Sequence, residues 1–383
     1  MKNIAIITGT RAEYGLLKPL IQAMSEDSEF NLRLMVTGMH LSETFGLTYK
    51  QIEADGFNID RKIDDQLNGD SALAITKAIG TAMIGFSEAF DELNPDLVII
   101  LGDRSEILAA ATAAMIKGLP IAHLHGGETT EGAYDESIRH AITKMSFLHF
   151  TSTEIYRKRV IQLGESPKRV FNVGAIGIDS IKNLKLLNKV EFEKSINFKL
   201  KKYSILITFH PVTLEKSTAK RQFKELLNSV DKLEDFTLIF TKPNSDKDGR
   251  IIIKMIDEYV MSNSQKAVAF ISMGQLRYLS ALQFVDVVLG NSSSGIYEVP
   301  IFNKPTINIG DRQKGRCMPL SVINCKPETK AIDEALELAF NKKFVKIIKE
   351  QKNIYGNGTA TSQIIKILKT YKFKGIKKSF YDL

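Results

Sequence analysis

The stretch Asp286–Pro300, DVVLGNSSSGIYEVP, decides the fold. An apolar run, Val287–Leu289, stops at Gly290, and three serines and Gly295 lead into what reads as a helix. A buried strand, a small-residue turn and a helix make the repeating step of a parallel α/β sheet. Hydroxyls, small side chains and unpaired amides at a helix start also form a seat for a phosphate or diphosphate. Glu298, one helical turn on, is placed to accept hydroxyl hydrogen bonds, for example from a ribose. The same residues read equally as an ordinary N-capped helix after a strand, because serine is a favoured cap.

Working outward, the same rhythm fills the chain. Ile4–Ile7, Leu32–Val36, Leu97–Leu101, Ile121–His125 and Leu148–Thr151 read as buried strands. Leu16–Met24, Ala72–Leu93, Ile107–Lys117 and Ile138–Met145 between them carry helical spacing. The pattern resumes with Ser204–Thr208, Thr237–Thr241, Ala267–Ile271, Val285–Leu289 and Thr306–Ile309. Gly174–Lys202 is rich in lysine and asparagine and marks the boundary. The expectation is α/β: two Rossmann-like doubly wound domains, 1–180 and 181–360, facing a cleft at the carboxyl ends of their strands. A helix and tail, 361–383, would pack back on the first domain.

The 383 residues suit two domains, and a hydrophobic fraction of 44% with 25% charged residues is that of an ordinary globular protein. No apolar run is read as a membrane span, and no signal-peptide layout precedes Ile4. Two cysteines, Cys317 and Cys325, fit a reducing cytoplasm and exclude a disulfide framework or cysteine-built zinc site. Net charge is +8, but the excess lies in Lys182–Lys202 and Lys366–Lys378 without interleaved aromatics, which disfavours nucleic acid.

Chemistry in such folds sits just past the strands. Gly9-Thr10-Arg11 after the first strand is neither a dinucleotide fingerprint nor a Walker loop, so NAD and ATP lose support. Arg11 serves a cleft or is a surface arginine. Gly102-Asp103-Arg104 offers an acid at a strand end, a base or hydroxyl ligand on one reading and a helix cap on the other. His123 and His125 fall at alternate strand positions and so share a face, followed by Gly126, Gly127 and Glu128. Asp135 precedes a helix. These residue types suit a metal, but no HExxH or carboxylate-rich loop accompanies them, and acid–base work ranks above metal catalysis. His210, between a strand and Pro211, is structural or a donor to phosphate. Lys242-Pro243-Asn244 forms a polar loop on the same rim.

Together, GTRAEYG, VTGMH, LGDR, HLHGGE, YDESIRH, TFHPVT, GNSSSG and INIGDRQKGR, in order, resemble the hydrolysing UDP-N-acetylglucosamine 2-epimerases of bacterial sialic-acid biosynthesis. The tail Ser379–Asp382 is similar to that of capsule enzymes. The resemblance implies the glycosyltransferase-B fold, with UDP on the second domain and the sugar between the domains. By matching motif, Ser292, Ser293 and Arg312 hold the diphosphate, Ser294 and Gly295 shape the loop, and Glu298 takes the ribose. His210 faces the phosphates. Arg11, Arg104 and Asn244 line the sugar. Asp103 and Asp135 match acids implicated in proton transfer. Many members carry a glutamate where this chain has His125, so either His125 or Glu128 takes over that role. The implied chemistry removes the C2 proton, expels UDP to leave a 2-acetamidoglucal, and adds water to give N-acetylmannosamine. His210, Arg312 and the amides at Ser293–Gly295 suit the leaving diphosphate. No cofactor is needed. Expected partners are the UDP-sugar, UDP and further copies of the chain, as a dimer or tetramer, with no nucleic acid or membrane. The rivals are the same reaction on UDP-2,4-diacetamido-2,4,6-trideoxyglucose, a glycosyltransferase, and a non-catalytic nucleotide-sugar sensor.

Overall fold

β-Branched runs flanked by amphipathic helices become strands covered on both faces, and here they build two separate sheets. The computed structural model describes residues 1–67, 71–129, 135–211, 218–243, 249–372 and 376–383. One compact unit is Met1–Lys182 with Ile354–Leu383, and the other is Asn183–Asn353.

In the first unit the strands are β1 Lys2–Thr8, β2 Phe30–Thr37, β3 Arg61–Ile63, β4 Leu97–Leu101, β5 Ile121–Leu124, β6 Leu148–Thr151 and β7 Val170–Asn172. They lie in the order β3-β2-β1-β4-β5-β6-β7, and every pair is parallel. Successive side chains of a strand point to opposite faces. Ile4 and Ile6 therefore join Leu17, Leu20 and Met24 of the helix Arg11–Ser25. Ala5 and Ile7 join Phe86 and Phe90 of Ala72–Leu93 and Ala110 of Ser105–Lys117.

Ala72–Leu93 passes a membrane test that the sequence reading did not apply. At 22 residues it is long and apolar enough to cross a membrane by length and composition. The stripe Ala78, Ala82, Phe86, Ala89 and Phe90 packs on the sheet instead, as expected of an amphipathic core helix.

The chain's last residues complete this unit. Ile364 and Leu368 of the helix Ala360–Thr370 enter the same core as Ile4. Lys2 Nζ donates to the carbonyls of Lys369 (3.1 Å) and Tyr371 (3.2 Å), satisfying acceptors at that helix's end. Beyond it Lys378 Nζ reaches the fully buried Glu165 at 2.8 Å, and Tyr381 N–H donates to Gly164 O at 2.9 Å.

The second sheet comprises β8 Tyr203–Thr208, β9 Phe236–Thr241, β10 Ala267–Phe270, β11 Val287–Gly290, β12 Thr306–Ile309 and β13 Val322–Cys325. Its order is β10-β9-β8-β11-β12-β13, again parallel throughout. Ile205, Ile207, Val287 and Leu289 pack under Phe223 and Leu226 of Ala219–Asp231 and Ile252 of Gly249–Ser262.

At the end of β11, Gly290 lies opposite Thr208 with φ +139°. A Cβ there would stand 1.9 Å from Thr208 O. Neither the backbone angle nor the space admits a side chain. Gly290→Ala is expected to lose about 3 kcal/mol or more of stability, or to fail to fold. Thermal melts followed by circular dichroism measure the loss; a wild-type melting temperature would refute the close approach.

Candidate active site

In both sheets the order reverses between two central strands, β1/β4 and β8/β11, so the loops after them diverge and leave room at the carboxyl ends. After β1, Thr10 Oγ1 accepts from Glu13 N–H (3.2 Å), and Glu13 Oε2 accepts from Gly9 N–H (2.7 Å) and Thr10 N–H (3.2 Å). This reciprocal capping box starts the helix and leaves Arg11 exposed in its first turn. After β4, Arg104 occupies the cap position of Ser105–Lys117, and its Nε donates to the buried Glu106.

Asp103 does not cap that helix. Its carboxylate pairs with Arg139, four residues beyond Asp135 on the helix Asp135–Met145. Burial pushes the Asp103 carboxyl above its ordinary range; Arg139 opposes this, while the Asp135 and Glu128 charges add to it. Arg139 Nη1 also donates to His125 O at 3.1 Å, joining the ends of β4 and β5.

His123 and His125 do not share a face. His123 stays in β5, fully buried, with Nε2 at 2.8 Å from Gly102 O and Nδ1 at 3.2 Å from Thr143 Oγ1. Burial lowers it to about 3, so it is a neutral core residue. His125 leaves the strand in the left-handed region at φ +64°, and that reversal turns its ring away from the alternation. Ile176 N–H approaches its Nε2 at 3.4 Å, and its Nδ1 lies 3.2 Å from Glu128 Oε1. Glu128 also accepts from Ser152 Oγ at 2.6 Å. Burial alone would raise Glu128, but the charges of His125 and Arg139 and these hydrogen bonds hold it down at about 2. Asp103 and Glu128 are therefore driven in opposite directions.

In the second unit the expected helix after the serines is one α-turn, Ser294–Tyr297, followed by a 3-10 turn, Val299–Phe302. Pro300 has no N–H and cannot extend the α pattern. Gly295 N–H is engaged by Ser292 O at 3.2 Å and Ser294 N–H by Ser292 Oγ at 3.4 Å, so these two amides are already partnered within the loop. Ser293 makes no side-chain cap bond. Ser294 instead accepts from Tyr278 OH at 2.7 Å and supports Glu298, whose carboxyl burial pushes up. Asn291 organises the neighbouring loops. Its side chain exchanges two bonds with the His210 backbone, at 2.7 and 2.8 Å. Its carbonyl accepts from Arg312 (3.0 Å) and Gln313 (2.8 Å). Arg312 lies beside Arg316, and neither pairs with a carboxylate among the described residues. Such uncompensated guanidinium groups suit an anion.

Asn244 and Tyr134 lie outside the described residues. Among those described, no group of three His, Cys, Asp or Glu side chains is placed to hold a metal. Arg139 and Asn291 were not singled out from the sequence. The signal for Arg139 was its spacing of four from Asp135, one helical turn along the same face; for Asn291 it was its place directly after the glycine that ends β11.

The family model for UDP-N-acetylglucosamine 2-epimerase matches residues 22–369, and the chain belongs to that family. It is a UDP-sugar 2-epimerase. A GDP/UDP-N,N'-diacetylbacillosamine 2-epimerase (hydrolyzing) of Campylobacter jejuni is 45% identical, over 90% of this chain and 88% of the relative. The polysialic acid biosynthesis protein P7 of Escherichia coli is 39% identical over 100% of this chain and 98% of its own. The structure of a Neisseria meningitidis UDP-GlcNAc 2-epimerase bound to UDP-GlcNAc is similar at TM-score 0.81 with 19% identity, covering 97% of this chain and all of that one (100%). The fold is that of the glycosyltransferase-B-like epimerases.

Glu128 gives a pH signature. Its folded value, about 2, lies below the ordinary 4.5. A depressed carboxylate contributes stability that is complete above the unfolded value and is lost as pH falls toward the folded one. Glu128→Gln should therefore melt earlier than wild type at neutral pH and show a flatter melting profile from about pH 5 down to about pH 2. Parallel profiles for the two proteins would place Glu128 in an ordinary environment.

Proposed function

We propose that the protein is a hydrolysing 2-epimerase that converts UDP-N-acetylglucosamine to UDP and N-acetylmannosamine for sialic-acid-containing surface polymers. The observation that carries this reading is the acid cluster after β4 and β5, where burial raises Asp103 while Glu128, one loop away, is held ionised. Carboxyl groups driven apart in this way can divide proton removal from proton return.

In this reading Asp103 and Asp135 move protons at C2, together with Glu128 or the His125 ring that it holds. Loss of the C2 proton and of UDP from C1 leaves the 2-acetamidoglucal. Water then supplies a hydroxyl to C1 and a proton to C2 from the opposite face. Ser292, Ser293 and Arg312 bind the diphosphate with His210, while Ser294 and Gly295 shape their loop. Glu298 accepts from the ribose. Arg11, Arg104 and Asn244 attend the sugar. The chemistry needs no redox cofactor, and a dimer or tetramer is part of the reading, checked by light scattering.

A second reading keeps the reaction and changes the sugar to UDP-2,4-diacetamido-2,4,6-trideoxyglucose. The Campylobacter jejuni relative, whose name specifies diacetylbacillosamine, favours it. Incubation with each UDP-sugar, without NAD, and product analysis by NMR decides between them. Free UDP and the free mannosamine derivative are expected. An absolute need for NAD, or an intact UDP-mannosamine derivative as the sole final product, overturns hydrolytic epimerisation. Asp103→Asn should lose at least about a hundredfold in turnover while still binding UDP.

Arg312 is expected to carry UDP affinity. Arg312→Ala should weaken UDP binding more than about tenfold by calorimetry, the scale of one charge-assisted hydrogen bond. Unchanged affinity would place the diphosphate elsewhere.

A further inference from the structure

The loops after β1 and β4 also enclose carboxyl groups that the reaction above does not use. Glu106 is only 4% exposed, although it stands in the first turn of an amphipathic helix. Buried carboxylates need partners, and this one is held from three sides. Its Oε1 accepts from Arg104 Nε and its Oε2 from the Ser105 hydroxyl at 3.1 Å. The third side is backbone: a Cβ on Gly9 would stand 2.6 Å from Oε1, and one on Gly38 3.2 Å. Glu106 thus fits because residue 9 has no side chain.

We infer that Glu106 is a positioning residue that reaches beneath Gly9 to fix the Arg104 guanidinium at the end of β4. Two features agree with this. Among the described residues Arg104 makes its ion pair with Glu106, while the Glu13 and Asp135 charges act on it without such a contact. Beside them Glu13 is engaged elsewhere: its Oε2 accepts from Gly9 and Thr10 N–H, and burial, and then the Glu106 charge, push it up to about 8. The kinetic part of the inference rests on the sugar-side role proposed for Arg104.

The test compares Glu106→Gln, Gly9→Ala, Arg104→Ala and the Glu106→Gln/Arg104→Ala double variant. Glu106→Gln should raise KM for the UDP-sugar roughly tenfold or more, with a smaller change in kcat and unchanged UDP affinity. Gly9→Ala, whose added methyl displaces the same carboxylate from the opposite side, should reproduce that pattern. In the Arg104→Ala background Glu106→Gln should add nothing, because residues acting through one another are not additive. Additive losses in the double variant, or a wild-type KM in Glu106→Gln, overturn the inference. If Glu106→Gln does not fold, Glu106→Asp, one methylene short, takes its place with the same expectations. A readout independent of turnover separates this inference from the proposed reaction. The Arg104 Nε–H signal in NMR should be protected from exchange in the wild type and exposed in Glu106→Gln and Gly9→Ala. A wild-type signal without protection overturns the positioning role even if the enzyme is active. A protected signal in an inactive wild type retains that role and sinks the reaction.

Discussion

One guanidinium sets the terms for the first unit's site. Arg139 lies buried among Asp103, Glu128 and the carbonyl of His125, and its charge acts on all three. Without it the carboxyl groups would face each other in a medium that screens poorly, and protonation would be forced on more than one of them. With it, the loops after two adjacent strands close on a shared cation. A side chain on a helix does this work for loops that have no regular hydrogen-bond ladder of their own.

The second unit reaches a comparable end by neutral means. Asn291 offers one donor and one acceptor to the His210 backbone and a carbonyl to Arg312 and Gln313. An amide can tie three loops together without carrying charge. The cationic character of Arg312 and Arg316 therefore stays outward and uncompensated. Buried charge surrounds the acids, and neutral hydrogen bonds surround the arginines. In the proposed reaction the first set would move protons and the second would hold the diphosphate.

How much of this was legible in the sequence depends on what each residue leans on. Runs such as Ile4–Ile7 and Leu97–Leu101 announce central strands, because neighbours on both sides demand unbroken apolar character. The edge strands β3 and β13 and the short β7 were not read. Arg61-Lys62-Ile63 has one neighbour and a wet side, so its composition resembles a loop. Glycines and acids at strand ends marked the loops that follow β1, β4, β5 and β11. Side-chain direction was another matter. Period-two alternation assigned His123 and His125 to one face, but it holds only while the chain stays extended, and His125 has already turned to φ +64°. Partners distant in sequence, such as Glu106 with Gly9, leave no local pattern at all.

The first unit is stitched from two stretches far apart in sequence. Its core takes Ile4 and Ile6 from the start of the chain and Ile364 and Leu368 from near its finish, and Lys2 is fastened to the last helix. Residues Asn183–Asn353, by contrast, form a continuous stretch. A ribosome therefore delivers everything the second unit requires before the first can close. During synthesis the core shared by Ile4, Leu17 and Leu20 lacks Ile364 and Leu368 until the helix Ala360–Thr370 emerges. The order in which the protein is made is thus the reverse of the order in which its two halves can be finished.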